Sequence, residues 1–151
     1  VRELRQRWPQ CICWLFLRRE TQEVVREALD AGAQGVIFVS SLGSGEGDFM
    51  KAIARTLEGG TYFPGPVRDA AAFHPDDEAE GLEALDQLSS REQEVLQALS
   101  EGYCNREIAQ RLFISQETVK THVSTVISKL GVRDRTQAAV MALRMGLLSA
   151  V

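Results

Sequence analysis

The first 60 residues alternate between short apolar runs and segments with apolar positions at helical spacing. The continuous runs CICWLFL (11–17) and GVIFVS (35–40) are typical of strands buried on both faces. Segments 21–32 and 47–60 repeat apolar residues every three or four positions, which predicts amphipathic helices. The inward face predicted for 47–60 comprises Phe49, Met50, Ile53, Ala54 and Leu57. The order helix, strand, helix, strand, helix predicts parallel strands joined by crossover helices.

Residues 64–86 have a different composition. Pro64, Pro66 and Pro75 are followed by acidic residues with no basic residue among them: Asp76, Asp77, Glu78, Glu80, Glu83 and Asp86. Proline interrupts regular structure, and runs of like charge usually stay solvated. We therefore expect a linker over 64–86, between a partial α/β domain at 1–63 and a second domain at 87–151, with a short exposed helix as the alternative for the acidic run.

The second domain shows only helical patterns. Segments 88–102, 105–113, 115–131 and 134–148 each have one apolar face, which predicts four helices. The spacing Ser89-x-x-Glu92 is typical of a capping box, and Gly102 is a typical helix stop.

The helix predicted at 115–131 has an unusual outward face. Its inward stripe is formed by Val119, Val123, Val126, Ile127 and Leu130. The opposite face collects Glu117, Lys120, Thr121, Ser124 and Ser128. Short hydroxyl side chains allow a partner to approach the helix closely, and Lys and hydroxyl groups donate hydrogen bonds to phosphates and base edges. The order of a short helix (105–112), a tight link (113–114) and a longer helix is also that of a helix-turn-helix motif.

Charge divides the chain in the same place. The net charge of −4 comprises −6 over residues 1–86 and +2 over residues 87–151. This asymmetry is compatible with nucleic-acid binding by the second domain. On pattern alone, an interaction adaptor that uses a plain helical bundle remains an alternative to DNA binding.

Specific residues favour DNA binding. The elements L..RE.EVL, G..N.EIA..L, S..TVK.HV and I..KL.V..R..A run through residues 88–148, which closely resemble the LuxR/NarL-type helix-turn-helix domain. Residues 1–63 resemble the second half of a response-regulator receiver domain, which has a flavodoxin-like fold. The resemblance implies a multi-domain transcription factor that binds the major groove of double-stranded DNA, with no cofactor and no enzymatic activity.

The resemblance also implies which residues contact DNA. By position, Lys120, Thr121 and Ser124 face base edges or nearby phosphates, and Lys120 is the expected guanine contact. Ser115, Thr118 and His122 are expected at the DNA backbone or the groove edge, with a half-buried structural role as the alternative for His122. The basic residues Lys129, Arg133 and Arg135 are expected to be phosphate contacts or surface charges.

Four positions depart from the family pattern. Cys104 replaces a capping Ser or Thr, and Ser124 stands where some members have Lys. Leu17 and Val39 occupy the strand ends where receiver domains have a Ser or Thr and a Lys that sense phosphorylation. This chain also has no phosphoacceptor strand, so we expect a regulator that acts independently of receiver phosphorylation. We expect a homodimer on paired half-sites, held together by residues 1–60.

Other chemistry finds little support in the sequence. The loop GSGEG (43–47) lacks the Lys and Ser or Thr of a phosphate-binding loop. His74 and His122 have no nucleophile suggested by a motif. The spacing of the three cysteines fits no metal site and favours a reduced, cytoplasmic protein. We expect neither a membrane span nor a small-molecule substrate.

Overall fold

The structure is a computed structural model that describes residues 1–42, 49–71 and 83–147. The chain divides into two compact units, Val1–Ala71 and Ala72–Val151. The loop 43–47, the start of the segment predicted as a helix at 47–60, and the middle of the predicted linker lie outside the described residues.

The first unit has helices on a small parallel sheet. Its elements are α1 (Arg2–Arg7), β1 (Trp14–Leu17), α2 (Gln22–Asp30), β2 (Gly35–Phe38), a 3₁₀ turn (Val39–Ser41), α3 (Phe49–Leu57) and α4 (Gly65–Ala71). The strands pair in register from Trp14 opposite Gly35 to Leu17 opposite Phe38. The predicted alternation of helices and parallel strands is confirmed.

An indole ring organises the packing of this unit. Trp14 stacks on Tyr62 with centroids 5.8 Å apart and meets Phe49 edge-on at 5.7 Å. Its Nε1 donates to Thr56 Oγ1 at 3.3 Å. The ring lies so close to Gly35 that a Cβ there would stand 2.6 Å from it. Glycine is therefore required at that position.

Two burial predictions for the first unit are wrong. β2 is buried throughout, but Phe16 of β1 is 47% exposed. β2 pairs with β1 and also forms a bridge to Tyr62, so β1 is an edge strand in the described part of the chain. On α3, Met50 and Leu57 are 71% and 70% exposed, while Ala52 and Thr56 are buried. Ala54, also predicted inward, is exposed. The buried side of α3 therefore includes Thr56, whose Oγ1 accepts the hydrogen bond from Trp14 Nε1.

Both ends of the segment 64–86, over which we expected a linker, contain helical residues. Residues Gly65–Ala71 form α4, and its Val67 and Ala71 are fully buried. Pro66 lies in the first turn of the helix, where its missing N–H costs no hydrogen bond. At the other end, residues 83–86 are helical and Ala84 is buried.

The second unit contains the four predicted helices: α5 (Ser90–Ser100), α6 (Asn105–Leu112), α7 (Gln116–Lys129) and α8 (Arg135–Arg144). Leu96 and Leu99 of α5, Ile108 of α6 and Val119 of α7 are almost completely buried and share one core with Ala142 of α8. α5 packs against α7 and α8, and α6 packs against α7. This core fixes which face of α7 points outward.

Candidate nucleic-acid interface

A tight turn links α6 to α7. Phe113 adopts a left-handed conformation (φ 54°), and the N–H of Ile114 donates back to the carbonyl of Ala109 at 3.0 Å. Ile114 then packs against the core. The Arg91 guanidinium also donates to the carbonyl of Leu112, the last residue of α6. These contacts fix the angle at which α7 leaves the turn.

Ser115 starts α7. Its Oγ accepts from the backbone N–H of Thr118 at 3.0 Å, and the two hydroxyl groups lie 2.8 Å apart. This side-chain cap satisfies one of the free N–H groups at the helix start. Both residues are exposed, so they lie at the accessible end of the helix.

The inward face of α7 is as predicted. Val119, Val123 and Val126 are buried, and Ile127 and Leu130 pack against the same core from its edge. Because the stripe is buried, the residues on the other side of the helix are held outward.

The structure brings the predicted base-contacting residues together on that outward side. Lys120, Thr121 and Ser124 are all exposed, and His122 is half-buried. The hydroxyl of Thr121 donates to the carbonyl of Glu117 at 3.2 Å. The result is an open face of short polar side chains around one ammonium group. We call Ser115, Thr118, Lys120, Thr121 and Ser124 the outward face of α7.

Lys120 has an acidic neighbour. Its Nζ lies 3.0 Å from Glu117 Oε2, with 60% of the Lys120 side chain and 80% of the Glu117 side chain exposed. Such exposed pairs contribute ~0.2–1 kcal/mol at most and are easily exchanged for another anion. Lys120 is therefore available to a phosphate or a base edge.

Lys129 is engaged within the protein. Its Nζ donates to Glu92 Oε2 at 2.7 Å, and Glu92 is only 7% exposed. The hydrogen bond from Lys129, followed by that from the backbone N–H of Ser89, lowers the pKa of Glu92 below its ordinary value. The expected contact of Lys129 with DNA stays a prediction, but this ion pair gives Lys129 a structural role.

Arg135 is also structural and is not the surface charge that the sequence suggested. Its guanidinium donates to Asn105 Oδ1 and to the carbonyl of Tyr103, each at 2.8 Å. Burial lowers the pKa of this guanidinium. The side chain thus joins the start of α8 to the loop before α6. Arg133, by contrast, is exposed.

Cys104 stands at the N-cap of α6, as the sequence indicated. Its backbone N–H donates to Glu107 Oε2 at 2.8 Å and its side chain faces the backbone N–H of Glu107, so both halves of a capping box are in place, with sulfur as the acceptor. The thiol is 1% exposed.

Sequence reasoning missed one exposed residue beside this interface. Phe113 is 94% exposed at the turn, where we predicted only a tight link. The sequence did contain a signal for this exposed residue, because it places an apolar side chain inside the turn of a helix-turn-helix motif.

The four-helix core, the tight turn and the outward face of α7 define a helix-turn-helix domain that follows an α/β segment. Residues 86–142 match the family described as bacterial regulatory proteins, luxR family. The transcriptional regulatory protein DegU of Brevibacillus brevis is 32% identical over a gapped alignment of 161 positions, which covers 97% of this chain and 67% of DegU. The response regulator protein VraR of Staphylococcus epidermidis is 39% identical over 129 residues, 85% of this chain and 58% of VraR.

A solved structure of the transcription factor GerE is also similar, with 44% identity, a TM-score of 0.38, and coverage of 42% of this chain and 94% of that chain. The chain belongs to the luxR family of bacterial regulatory proteins, and its relatives include response regulators. It spans 58% of the length of VraR and 67% of that of DegU. The family is one of regulatory proteins and not of enzymes.

Every helix in the described ranges is too short or too polar to cross a membrane.

Proposed function

We propose that this chain is a sequence-specific DNA-binding regulator of transcription that inserts α7 into the major groove of double-stranded DNA. The outward face of α7 carries this proposal. It combines an exposed Lys120 with the exposed hydroxyl groups of Thr121 and Ser124, behind a turn whose geometry is fixed by the core. Helices of this kind read base edges with residues near their N-terminal end.

In this proposal the residues divide into two roles. Lys120, Thr121 and Ser124 contact base edges or adjacent phosphates, and Ser115 and Thr118 lie against the DNA backbone. His122 is half-buried, which favours a supporting position at the edge of the interface. The predicted contact of Lys129 with DNA would compete with the Glu92 carboxylate, which already binds its ammonium group.

The test is the salt dependence of duplex binding. A random pool of 30-base-pair duplexes is selected on the full chain, and the affinity of a selected duplex is measured by fluorescence anisotropy. With Lys120 as the cationic contact of each copy, affinity should fall roughly 3.5-fold per bound copy between 50 and 200 mM salt, which is roughly 12-fold for a dimer. Failure to enrich any duplex contradicts the proposal. That failure would favour the alternative that the helical bundle is a protein-interaction adaptor, whose apolar interface is insensitive to salt.

We further propose that the regulator binds paired half-sites as a homodimer held together by its first unit. Met50 and Leu57 are two turns apart on α3 and are mostly exposed, and the edge strand β1 exposes Phe16. These apolar groups fit a second copy of the chain. Tethering two DNA-binding domains raises the effective concentration at the second half-site without any new DNA contact.

Self-association is proposed to be independent of phosphorylation. Leu17 ends β1, and Val39 follows β2 directly, so the carboxyl edge of the sheet carries apolar groups at the two positions. Neither can hydrogen-bond to a phosphoryl group. Sedimentation of the full chain should show the same dimer with and without acetyl phosphate, and a Met50→Glu/Leu57→Glu variant should shift toward monomer. A dimer that requires the phosphodonor would contradict this.

A further inference from the structure

Left-handed backbone occurs at six positions in the described ranges, and each follows the end of a helix. Five of them are glycines: Gly32, Gly59, Gly102, Gly131 and Gly146. The sixth is Phe113, which ends α6. A residue with a Cβ is strained in this conformation, and a bulky one especially so. At the five other helix ends with left-handed backbone in these ranges, the residue is glycine, which is not strained in this conformation.

The fold gains little from the Phe113 side chain. It is 94% exposed, the largest value among the exposed large hydrophobic residues of the described chain. The next residue, Ile114, makes the core contact that such a helix end normally has. Strained residues with no packing role are concentrated at functional sites.

We propose that Phe113 is a DNA-contacting residue that packs on apolar groups of the duplex at the edge of the major groove. The thymine 5-methyl group and the C–H face of deoxyribose both offer this chemistry. The inference rests on the proposed function and adds an apolar contact to its polar ones.

Position favours DNA over a protein partner. A single residue separates Phe113 from Ser115, the N-cap of α7. The exposed Ser115, Thr118 and Lys120 follow within about two helical turns. Because the start of the recognition helix is the part that approaches base edges, a side chain at the preceding turn meets the duplex beside them. Apolar contact with the thymine methyl group is an established form of base recognition.

The test compares stability with affinity in the full chain. Phe113→Gly removes both the side chain and the strain, so the melting temperature should stay the same or rise by about 2–6 °C. Affinity for the selected duplex should nevertheless fall about 5- to 20-fold, as expected for losing a half-buried Phe. Phe113→Leu keeps an apolar side chain and the same strain, and should retain most of the affinity.

Substituting deoxyuridine for each thymine identifies the contacted group. Contact with a methyl group predicts one position in each half-site at which the substitution weakens the wild type but not Phe113→Gly. Contact with deoxyribose predicts that Phe113→Gly is weaker by the same factor on every duplex.

Two results overturn the inference while leaving DNA binding intact. One is wild-type affinity in Phe113→Gly, which would also be the outcome if the side chain serves a protein partner. The other is an affinity loss that follows a lower melting temperature, which would assign Phe113 a structural role. Absence of duplex binding by the wild type overturns the proposed function itself, so the two failures are distinguishable.

Discussion

Lys129 and Glu92 form an ion pair at 2.7 Å that joins the last turn of α7 to the first turn of α5. Glu92 also accepts the backbone N–H of Ser89 at 2.8 Å and so caps its own helix. One carboxylate therefore holds both the start of α5 and the end of the proposed recognition helix. Removing it affects two helices together.

The stability of the folded protein should depend on pH through the carboxyl group of Glu92. Its pKa is lowered in the folded state, so its contribution is present above the ordinary value of 4.5 and is lost as the pH falls through the lower native value. The melting temperature of the wild type should exceed that of Glu92→Gln at neutral pH, and the difference should shrink toward pH 3. Thermal melts followed by circular dichroism between pH 3 and 7 measure this.

The matched control is Glu94→Gln. Glu94 lies on the same helix, is 49% exposed and pairs with Arg91. The melting temperature of Glu94→Gln should change with pH in the same way as that of the wild type. A constant difference between wild type and Glu92→Gln at all pH values would contradict the role given to the Glu92 carboxylate.

Lys120→Ala should weaken DNA binding without unfolding the domain. Loss of a base contact costs ~1–3 kcal/mol, about 5- to 150-fold in affinity, and loss of its charge should reduce the salt slope by about one. Anisotropy titrations at several salt concentrations give both values. Lys129→Ala removes the same charge from the same helix as a comparison. It should lower the melting temperature and leave the salt slope nearly unchanged, and the reverse pattern would show that the two roles are wrongly assigned.

Arg135 should matter for folding far more than its neighbour Arg133. Removing the guanidinium leaves the Tyr103 carbonyl and Asn105 without their 2.8 Å donors. Arg135→Ala should cost about 2–3 kcal/mol in the free energy of unfolding, since hydrogen bonds from charged groups contribute ~1.5–3 kcal/mol. Arg133→Ala changes an exposed residue and should stay within about 0.5 kcal/mol. Urea denaturation of both variants provides the comparison; equal losses would refute the structural role of Arg135.

Cys104→Ser should stabilise α6. A hydroxyl oxygen is a better acceptor for the N–H groups at a helix start than a thiol sulfur, and Ser is a preferred N-cap. We expect a gain of about 0.5–1 kcal/mol, with Glu107 continuing to accept the backbone N–H of residue 104. Cys104→Ala is the matched control, because it removes the sulfur without adding an acceptor, and it should not be stabilised. A Ser variant no more stable than the Ala variant would contradict this account.

The helices of the second unit were predictable because their signals are local. Ser89 with Glu92, Ser115 and Asp134 cap helices within a few residues of themselves, and the apolar stripe of α7 is regular. The parallel strands and the order of elements in the first unit followed from the same kind of periodicity.

The remaining features depend on partners distant in sequence. On the buried side of α3, Thr56 accepts a hydrogen bond from Trp14, 42 residues away. The partners of Lys129 and Arg135 lie 37 and 30 residues away. No local pattern distinguishes such a cation from one that faces solvent, so the sequence could place these residues on a helix but could not assign their partners.

The outward face of α7 also limits how much sequence information one copy can read. Lys120, Thr121 and Ser124 are three side chains for base contacts, and three such side chains read about three base pairs. A genome offers ~10⁶ or more competing sites, and about ten base pairs are needed to single out one of them. One copy therefore cannot define a unique site, whereas two copies read about twice as many base pairs and also select for the spacing between them. If the protein binds as the proposed dimer, the distance between the half-sites contributes to its DNA-binding specificity.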